Sequence, residues 1–391
     1  MKTFRGYVRP DGQVGIRNHV VVMANAACST GVVDQIGKLL PEAVILVHTY
    51  GCNYIRELDR WKTIQNGILS NPNVYGAIII GVGCEDFDAR DVAKEVHDRS
   101  GKLMIPLIVQ NDGGGQKVIA RAVEEAKKLM AEAAKLERQE VPISKLVFAT
   151  ECGGSDSLSG VTANPTIGYV SDWIVNHGGT SLLSENAELI GTEDSLAERA
   201  VSKEVADKIY DLIYGEEVKL RNLMGVESSR SLAQGNIAGG LTTIQEKALG
   251  CVRKGGTAPV QDVIGYGEAV GDRKGLIIMD GPGNDPISLT GLFSSGAQIA
   301  MYSTGRGTPM AHPICPVIKI SSNTKTYEMV GGDDGDMDLN AGAIITEGIS
   351  LEEMGEKAIR YLMDALNGME TKPEKYGYGG TLNVYTDTPV F

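Results

Sequence analysis

Hydrophobic positions in the first third of the chain fall in short continuous blocks rather than in strict alternation. Blocks at about residues 19–26, 43–49, 76–82 and 103–110 are apolar almost throughout and rich in valine and isoleucine, the pattern of strands covered on both faces. Between them apolar residues take helical spacing near 30–40, 55–70 and 89–99, and a charged Ala/Glu/Lys/Leu span follows near 114–138. This alternation predicts a parallel sheet between two helix layers. The polar segment before it, GYVRPDGQVGIRN, carries Asp11-Gly12 and predicts a hairpin.

The segment LERQEVPIS (136–144), polar and containing Pro142, reads as a linker. A second α/β unit opens with KLVFATEC, with a helix near 165–177, a strand over 180–185 and a long amphipathic helix near 193–225. A third region starts near Gly235, with a helix at 242–254, strands near 275–279, 298–303 and 316–321, and a closing helix at 350–367. The expected divisions are an N-terminal α/β domain with its leading hairpin (1–140), a middle α/β region (141–234) and a C-terminal α/β region (235–391). The last two merging into one domain is the alternative. The fold class is α/β, with Rossmann-like or flavodoxin-like parallel-sheet domains and an active site between domains.

Four apolar runs end in a thiol or in a histidine and a thiol: Cys28, His48 with Cys52, Cys84 and Cys152. Ligands collect outside the carboxyl ends of parallel strands, and thiolate with imidazole suits iron or zinc. Each cysteine alone reads equally as a buried small hydrophobe. The spacing is not that of a zinc finger or a common ferredoxin.

Composition narrows the function classes. A formal charge of −13 over 391 residues argues against sequence-independent nucleic-acid binding. No apolar run is long enough to span a bilayer, and MKTFRGYVRPDG lacks a signal-peptide core. Six cysteines are too few for a disulfide scaffold, and the strand-end positions of Cys28, Cys52, Cys84 and Cys152 fit a reducing cytoplasm.

Three further segments concentrate chemistry. ECGGSDSLSGVTANPTIG (151–168) offers Ser155, Asp156, Ser159, Thr162 and Asn164 beside paired glycines, a mixture suited to a polyhydroxylated acid, although Asp156 and Ser159 could equally cap the next helix. GNIAGGLTTIQEKALG (235–250) places Thr242 and Thr243 at a helix start with Lys247 one turn in, either a cation or base for a carboxylate substrate or an exposed lysine. STGRGTPMAHPICPVIKISSN (303–323) sets Arg306 between glycines, shaped to grip a carboxylate, with His312 as an acid–base candidate.

These motifs, in order from residue 5 to about 342, resemble the altronate/galactarate dehydratase family, which includes the large subunit of sulfolactate sulfo-lyase. The matching pieces are GYVRPDGQVGIRN, HTYGC, GVGCE, ECGGSDSLSGVTANP, LLSENAELIG, GNIAGGLTTIQEKALG, STGRGTP, PVIKISSN and DMDLNAG. The resemblance implies dehydration of a sugar acid to a 2-keto-3-deoxy acid with help from Fe2+ or a related divalent metal; Mn2+ and an iron–sulfur cluster are the alternatives. It also implies a separately encoded small subunit, since the family's full-length sugar-acid enzymes carry a small domain before the GYxRxDG segment. Assembly into a homo-oligomer is expected.

On that reading His48, Cys52, Cys84 and Cys152, with Cys28 nearby, form the metal group. Arg17, Arg306, Thr242, Thr243 and the 153–164 loop hold the substrate, and the base is one of His48, Lys247, Glu85 or His312. The rival enzyme reading is release of sulfite from 3-sulfolactate. The non-enzyme rival is a sugar-acid-binding regulatory or scaffold subunit.

Overall fold

A computed structural model describes residues 2–52, 57–224 and 232–386. Positions 55–56 of one expected helix, position 225 of another and the last five residues of the tail lie outside that range. The chain opens with β1 (Thr3–Val8) and β2 (Val14–Gly15), antiparallel about the Asp11-Gly12 turn. Next come β3 (His19–Ala24), β4 (Val44–Leu46), β5 (Val74–Gly81) and β6 (Leu103–Ile108), all parallel in the order β4-β3-β5-β6. Val20, Val22, Ile78 and Ile80 pack under the helices Thr30–Leu39 and Gly115–Ala133, whereas Val21, Met23, Ala77 and Ile79 face Leu58–Ser70 and Ala89–Ser100. Burial on both faces is why these strands read as unbroken apolar runs.

The expected linker is partly a strand. β7 (Gln139–Pro142) pairs antiparallel with β1, from Thr3↔Pro142 to Gly6↔Gln139. Polar residues disguise it because its burial is incomplete: only Val141 of the four is buried.

The second sheet has seven parallel strands: β8 (Val147–Cys152), β9 (Thr180–Leu183), β10 (Val260–Ile264), β11 (Gly275–Met279), β12 (Ile299–Thr304), β13 (Val317–Ser321) and β14 (Leu339–Asn340), in the order β10-β11-β9-β8-β12-β13-β14. One sheet therefore draws strands from both the expected middle and C-terminal regions. The expected helix 193–225 is two, Glu193–Ala197 and Lys203–Met224. From β8 the chain builds outward on one side through β9, then returns to add β12 on the other, so the order reverses between β8 and β12. Such a reversal opens a crevice at the carboxyl ends of the two strands.

The two sheets share a core. The helix Leu58–Ser70 packs on the helix Asp285–Ser294, bringing Ile64 and Ile68 together with Leu289, Leu292 and Phe293. Their closest approach needs Gly67, where any Cβ would collide with Ser294. The tail returns to the first sheet: the Leu382 amide donates to Val47 O at 3.0 Å, and Tyr50 Oη donates to Val384 O.

Candidate active site at the sheet edge

The carboxyl end of β8 delivers Glu151 and Cys152 to the reversal point, both fully buried. Just past β9, Glu185 and Glu188 arrive from the next strand. Glu185 takes φ +76°, the only left-handed non-glycine residue among those described, a strained turn that places its carboxylate beside Cys152. The helix Ile244–Cys251 and the tight turn Val252–Gly255 after it supply Lys247, Cys251 and Lys254.

These side chains form one buried network. Cys152 Sγ lies 3.4 Å from Cys251 Sγ, and both thiols donate to Glu188 Oε2, at 3.0 and 2.8 Å. Lys254 Nζ sits 3.0 Å from Cys152 Sγ and pairs with Glu185; Lys247 pairs with Glu188. Burial raises the Glu185 carboxyl, Glu188 adds to it and Lys254 opposes it, leaving it pushed up to about 7. Burial pulls Lys247 down, but Glu188 and the two thiols outweigh that and hold it above its ordinary value as an ammonium. On the Cys152 thiol the contact with Cys251 and burial act together, upward.

The network opens on a cleft of about 580 Å³, with Lys247 and Cys251 in its wall beside Ser155, Asp156, Asn164 and the exposed, unpaired Arg253. That volume accommodates a small polar molecule. Most of the expected substrate groups are engaged with the protein. Asp156 accepts from Ser159, Ser322 and Asn323 at 2.7–2.8 Å. Thr162 donates to Ser322 O at 2.7 Å, and Asn164 Nδ2 donates to Gly250 O at 3.0 Å. These bonds tie the segment after β8 to the loop after β13 and to the helix Ile244–Cys251. Thr243 caps its helix by accepting from the Glu246 amide, and Thr242 donates to Glu246 at 2.6 Å. Arg306 is exposed and packs over Gly154.

The expected metal group divides. Cys28, Cys52 and Cys84 lie at the edge of the first sheet, with Cys28 and Cys84 exposed. Partial burial first, then neighbouring Asp86, Cys84 and Cys28, raise the Cys52 thiol, and its Sγ lies 3.7 Å from Cys84 O. Cys152 instead joins Cys251 and Glu188, whose donor atoms all lie within 4.8 Å of one another. His48 has both ring nitrogens engaged, Nε2 with Ala24 O at 2.7 Å and Nδ1 with the Tyr50 amide at 3.1 Å, and is packed on Trp61; it is a structural imidazole here.

Three other residues of the sequence assignment are held by the protein itself or lie away from the cleft. Arg17 is buried, forked onto Glu374 at 2.7 and 2.8 Å and capping the carbonyls of Ile16, Ala365 and Met369. It clamps the carboxyl-terminal helix rather than a ligand. Arg17→Met is expected to cost about 3 kcal/mol of stability by stranding Glu374, seen as a lowered urea midpoint with substrate KM unchanged. Glu85 accepts from the amides of Val82, Gly83 and Cys84 and from Asn25, so it closes its own loop. His312 is buried against Phe293 with Nε2 unpartnered, away from the cleft lining.

Sequence reading missed Glu185, Glu188, Cys251 and Lys254. LLSENAELIG ends a strand exactly as KLVFATEC does, and the strand-end argument applied to its glutamates would have found two of the four.

Fold and site together define an α/β protein that gathers its ionisable groups at the carboxyl edge of a parallel sheet, where its strand order reverses. The family model for D-galactarate/altronate dehydratase, C-terminal, matches residues 143–386, and that for D-galactarate dehydratase/altronate hydrolase, second domain, matches residues 6–134. The chain is 31% identical over 389 residues to altronate dehydratase of Bacillus subtilis (strain 168), covering 96% of this chain and 76% of the relative. It is 32% identical over 410 residues to galactarate dehydratase (L-threo-forming) of Escherichia coli (strain K12), covering 99% and 77%. With (2R)-sulfolactate sulfo-lyase subunit beta of Chromohalobacter salexigens it shares 30% over 381 residues, 96% of each chain. The chain belongs to the D-galactarate/altronate dehydratase family. Among the described residues no helix is long and apolar enough to cross a membrane.

Proposed function

We propose that this protein is a sugar-acid dehydratase of the altronate or galactarate type, removing water across C2 and C3 of a hydroxy acid to give a 2-keto-3-deoxy acid. The carrying observation is Lys247, which lines the polar cleft while its ammonium contacts the buried Glu188 carboxylate. The hydrogen alpha to a carboxylate is weakly acidic, so the site must supply both a base and charge stabilisation. Arg253, exposed in the cleft wall, holds the carboxylate as a guanidinium fork does, with Arg306, exposed beside Gly154, as the further cation. Lys247, held as an ammonium by Glu188, gives a proton to the departing C3 hydroxyl, so that water leaves. The amine so formed takes the C2 proton, which restores the ammonium. The enol then tautomerises to the keto acid.

A divalent metal such as Fe2+ fits the Cys152, Cys251 and Glu188 donors, two thiolates with one carboxylate. It would supply Lewis acidity toward the developing aci-carboxylate. Cys28, Cys52 and Cys84 remain the alternative set for an iron–sulfur cluster. The sulfo-lyase relative, aligned over 96% of both chains and a subunit beta by name, supports a second reading in which sulfite leaves 3-sulfolactate and a small partner subunit takes part.

The test is a panel of altronate, galactarate and 3-sulfolactate, assayed anaerobically for 2-keto acid and sulfite with and without a small subunit. Lys247→Met is expected to lower kcat by about 10²–10⁴-fold with substrate binding retained. Unchanged kcat in that variant would remove Lys247 from the mechanism, and no turnover of any substrate would refute the dehydratase reading.

A further inference from the structure

A second ligand group occupies the other face of the same sheet edge. Successive strand residues point to opposite faces, so Glu151 projects with Ala149 toward the core shared with the first domain, away from Cys152. There Glu151, Glu185 and Asp285 each bring an oxygen to within 4.8 Å of the others.

All three carboxylates are oriented from outside. Ser288 Oγ donates to Glu151 Oε2 at 2.6 Å, Tyr302 Oη donates to Asp285 Oδ2, and the Cys152 amide at 3.2 Å and the Lys254 ammonium donate to Glu185 Oε2. Glu151 Oε1 is buried without any donor, and its neighbour is the Glu185 carboxyl. Two acceptors facing each other in a dry site need a proton or a cation between them. Outer donors that fix one oxygen and leave its twin turned inward are how ligating carboxylates are held. Lys319, its Nζ 3.0 Å from the centre of the Tyr302 ring, and Lys254 flank the group without filling it.

We propose that Glu151, Glu185 and Asp285 form a binding site for a hard divalent cation, Mg2+ or Mn2+, separate from the thiol-bearing group around Cys152. An all-oxygen set selects that class over thiophilic metals. Asp285 is the partly exposed member, at the start of the helix Asp285–Ser294, and provides the way in for the ion.

The test is Mn2+ titration of the chelator-stripped full chain under reducing, anaerobic conditions, followed by loss of the free-ion EPR signal. Wild type and Cys251→Ser are expected to bind Mn2+ alike, whereas Glu151→Gln and Asp285→Asn bind it roughly tenfold to a hundredfold more weakly. A second readout guards against misfolding. Metal-free Glu151→Gln is expected to melt at or above wild type, because its amide gives Glu185 the missing donor, and Mn2+ should raise the melting temperature of wild type but not of this variant. Equal Mn2+ binding or equal thermal gain in Glu151→Gln and wild type would overturn the proposal. So would loss of Mn2+ in Cys251→Ser with retention in Glu151→Gln.

Discussion

Lys254→Met is expected to destabilise the protein by about 3–5 kcal/mol, the usual consequence of removing one partner from a buried ion pair. Lys254 and Glu185 are both 0% exposed in their side chains, and no water can replace the lost ammonium. Glu185 would be left against Glu151 and Glu188 with no cation of its own. Urea unfolding would report the loss as a lower midpoint at unchanged slope. Adding Glu185→Gln to Lys254→Met should recover a large part of it, because the cost lies in the stranded charge rather than in the missing contact. A double variant no more stable than Lys254→Met would show that the lysine matters for packing instead.

The second large effect is acid lability. Burial lowers His48 from 6.5 to about 4, against the raising effect of its two backbone hydrogen bonds, and lowers His312 from 6.5 to about 3. Both native imidazoles are therefore neutral where the unfolded chain is protonated, so the unfolded state binds more protons below pH 6.5. Stability from these groups is present above 6.5 and falls as pH drops toward 4. Each contributes a slope of about 1.4 kcal/mol per pH unit, so the pair removes on the order of 5 kcal/mol across that window. Glu185 acts oppositely: its raised carboxyl favours the native state below pH 4.5, and that gain is lost as pH rises through about 7. His19, lowered to about 4 by burial, adds to the imidazoles, whereas the raised carboxyls of Glu151, Glu216, Asp285 and Asp338 act with Glu185, so the histidine share is read as the difference between wild type and a histidine variant. His312→Leu, which also removes the unpartnered Nε2, should lower the slope of unfolding free energy against pH by about 1.4 kcal/mol per pH unit between pH 4 and 6.5 relative to wild type.

The first sheet was legible because its strands are buried on both faces and its helices are amphipathic. Expected runs at 19–26, 76–82 and 103–110 coincide with His19–Ala24, Val74–Gly81 and Leu103–Ile108. β10 escaped notice because Gln261 and Asp262 interrupt it at the sheet's edge, and the helix Asp285–Ser294 because it is buried all round and has no amphipathic stripe. Strand-end reasoning located the loop after β8. It could not reveal Lys254, since VRKGG has the composition of an exposed basic turn and only partners some seventy and a hundred residues earlier make its burial tolerable. Nor could it show that Asp156, Thr162 and Asn164 bind neighbouring loops. Polar residues that staple loops and polar residues that meet ligands have the same composition; only hydrogen-bond partners distinguish them.

The reversal between β8 and β12 also sets a timetable for synthesis. Cys152 emerges 99 residues before Cys251 and 102 before Lys254, and its sheet neighbour Ile299–Thr304 follows later still. Until then β8 has an open edge, and Glu185 and Glu188 are ordinary hydrated carboxylates. Nascent chains that stop short of β12 thus expose an unpaired apolar strand, the condition that favours aggregation and holdase capture.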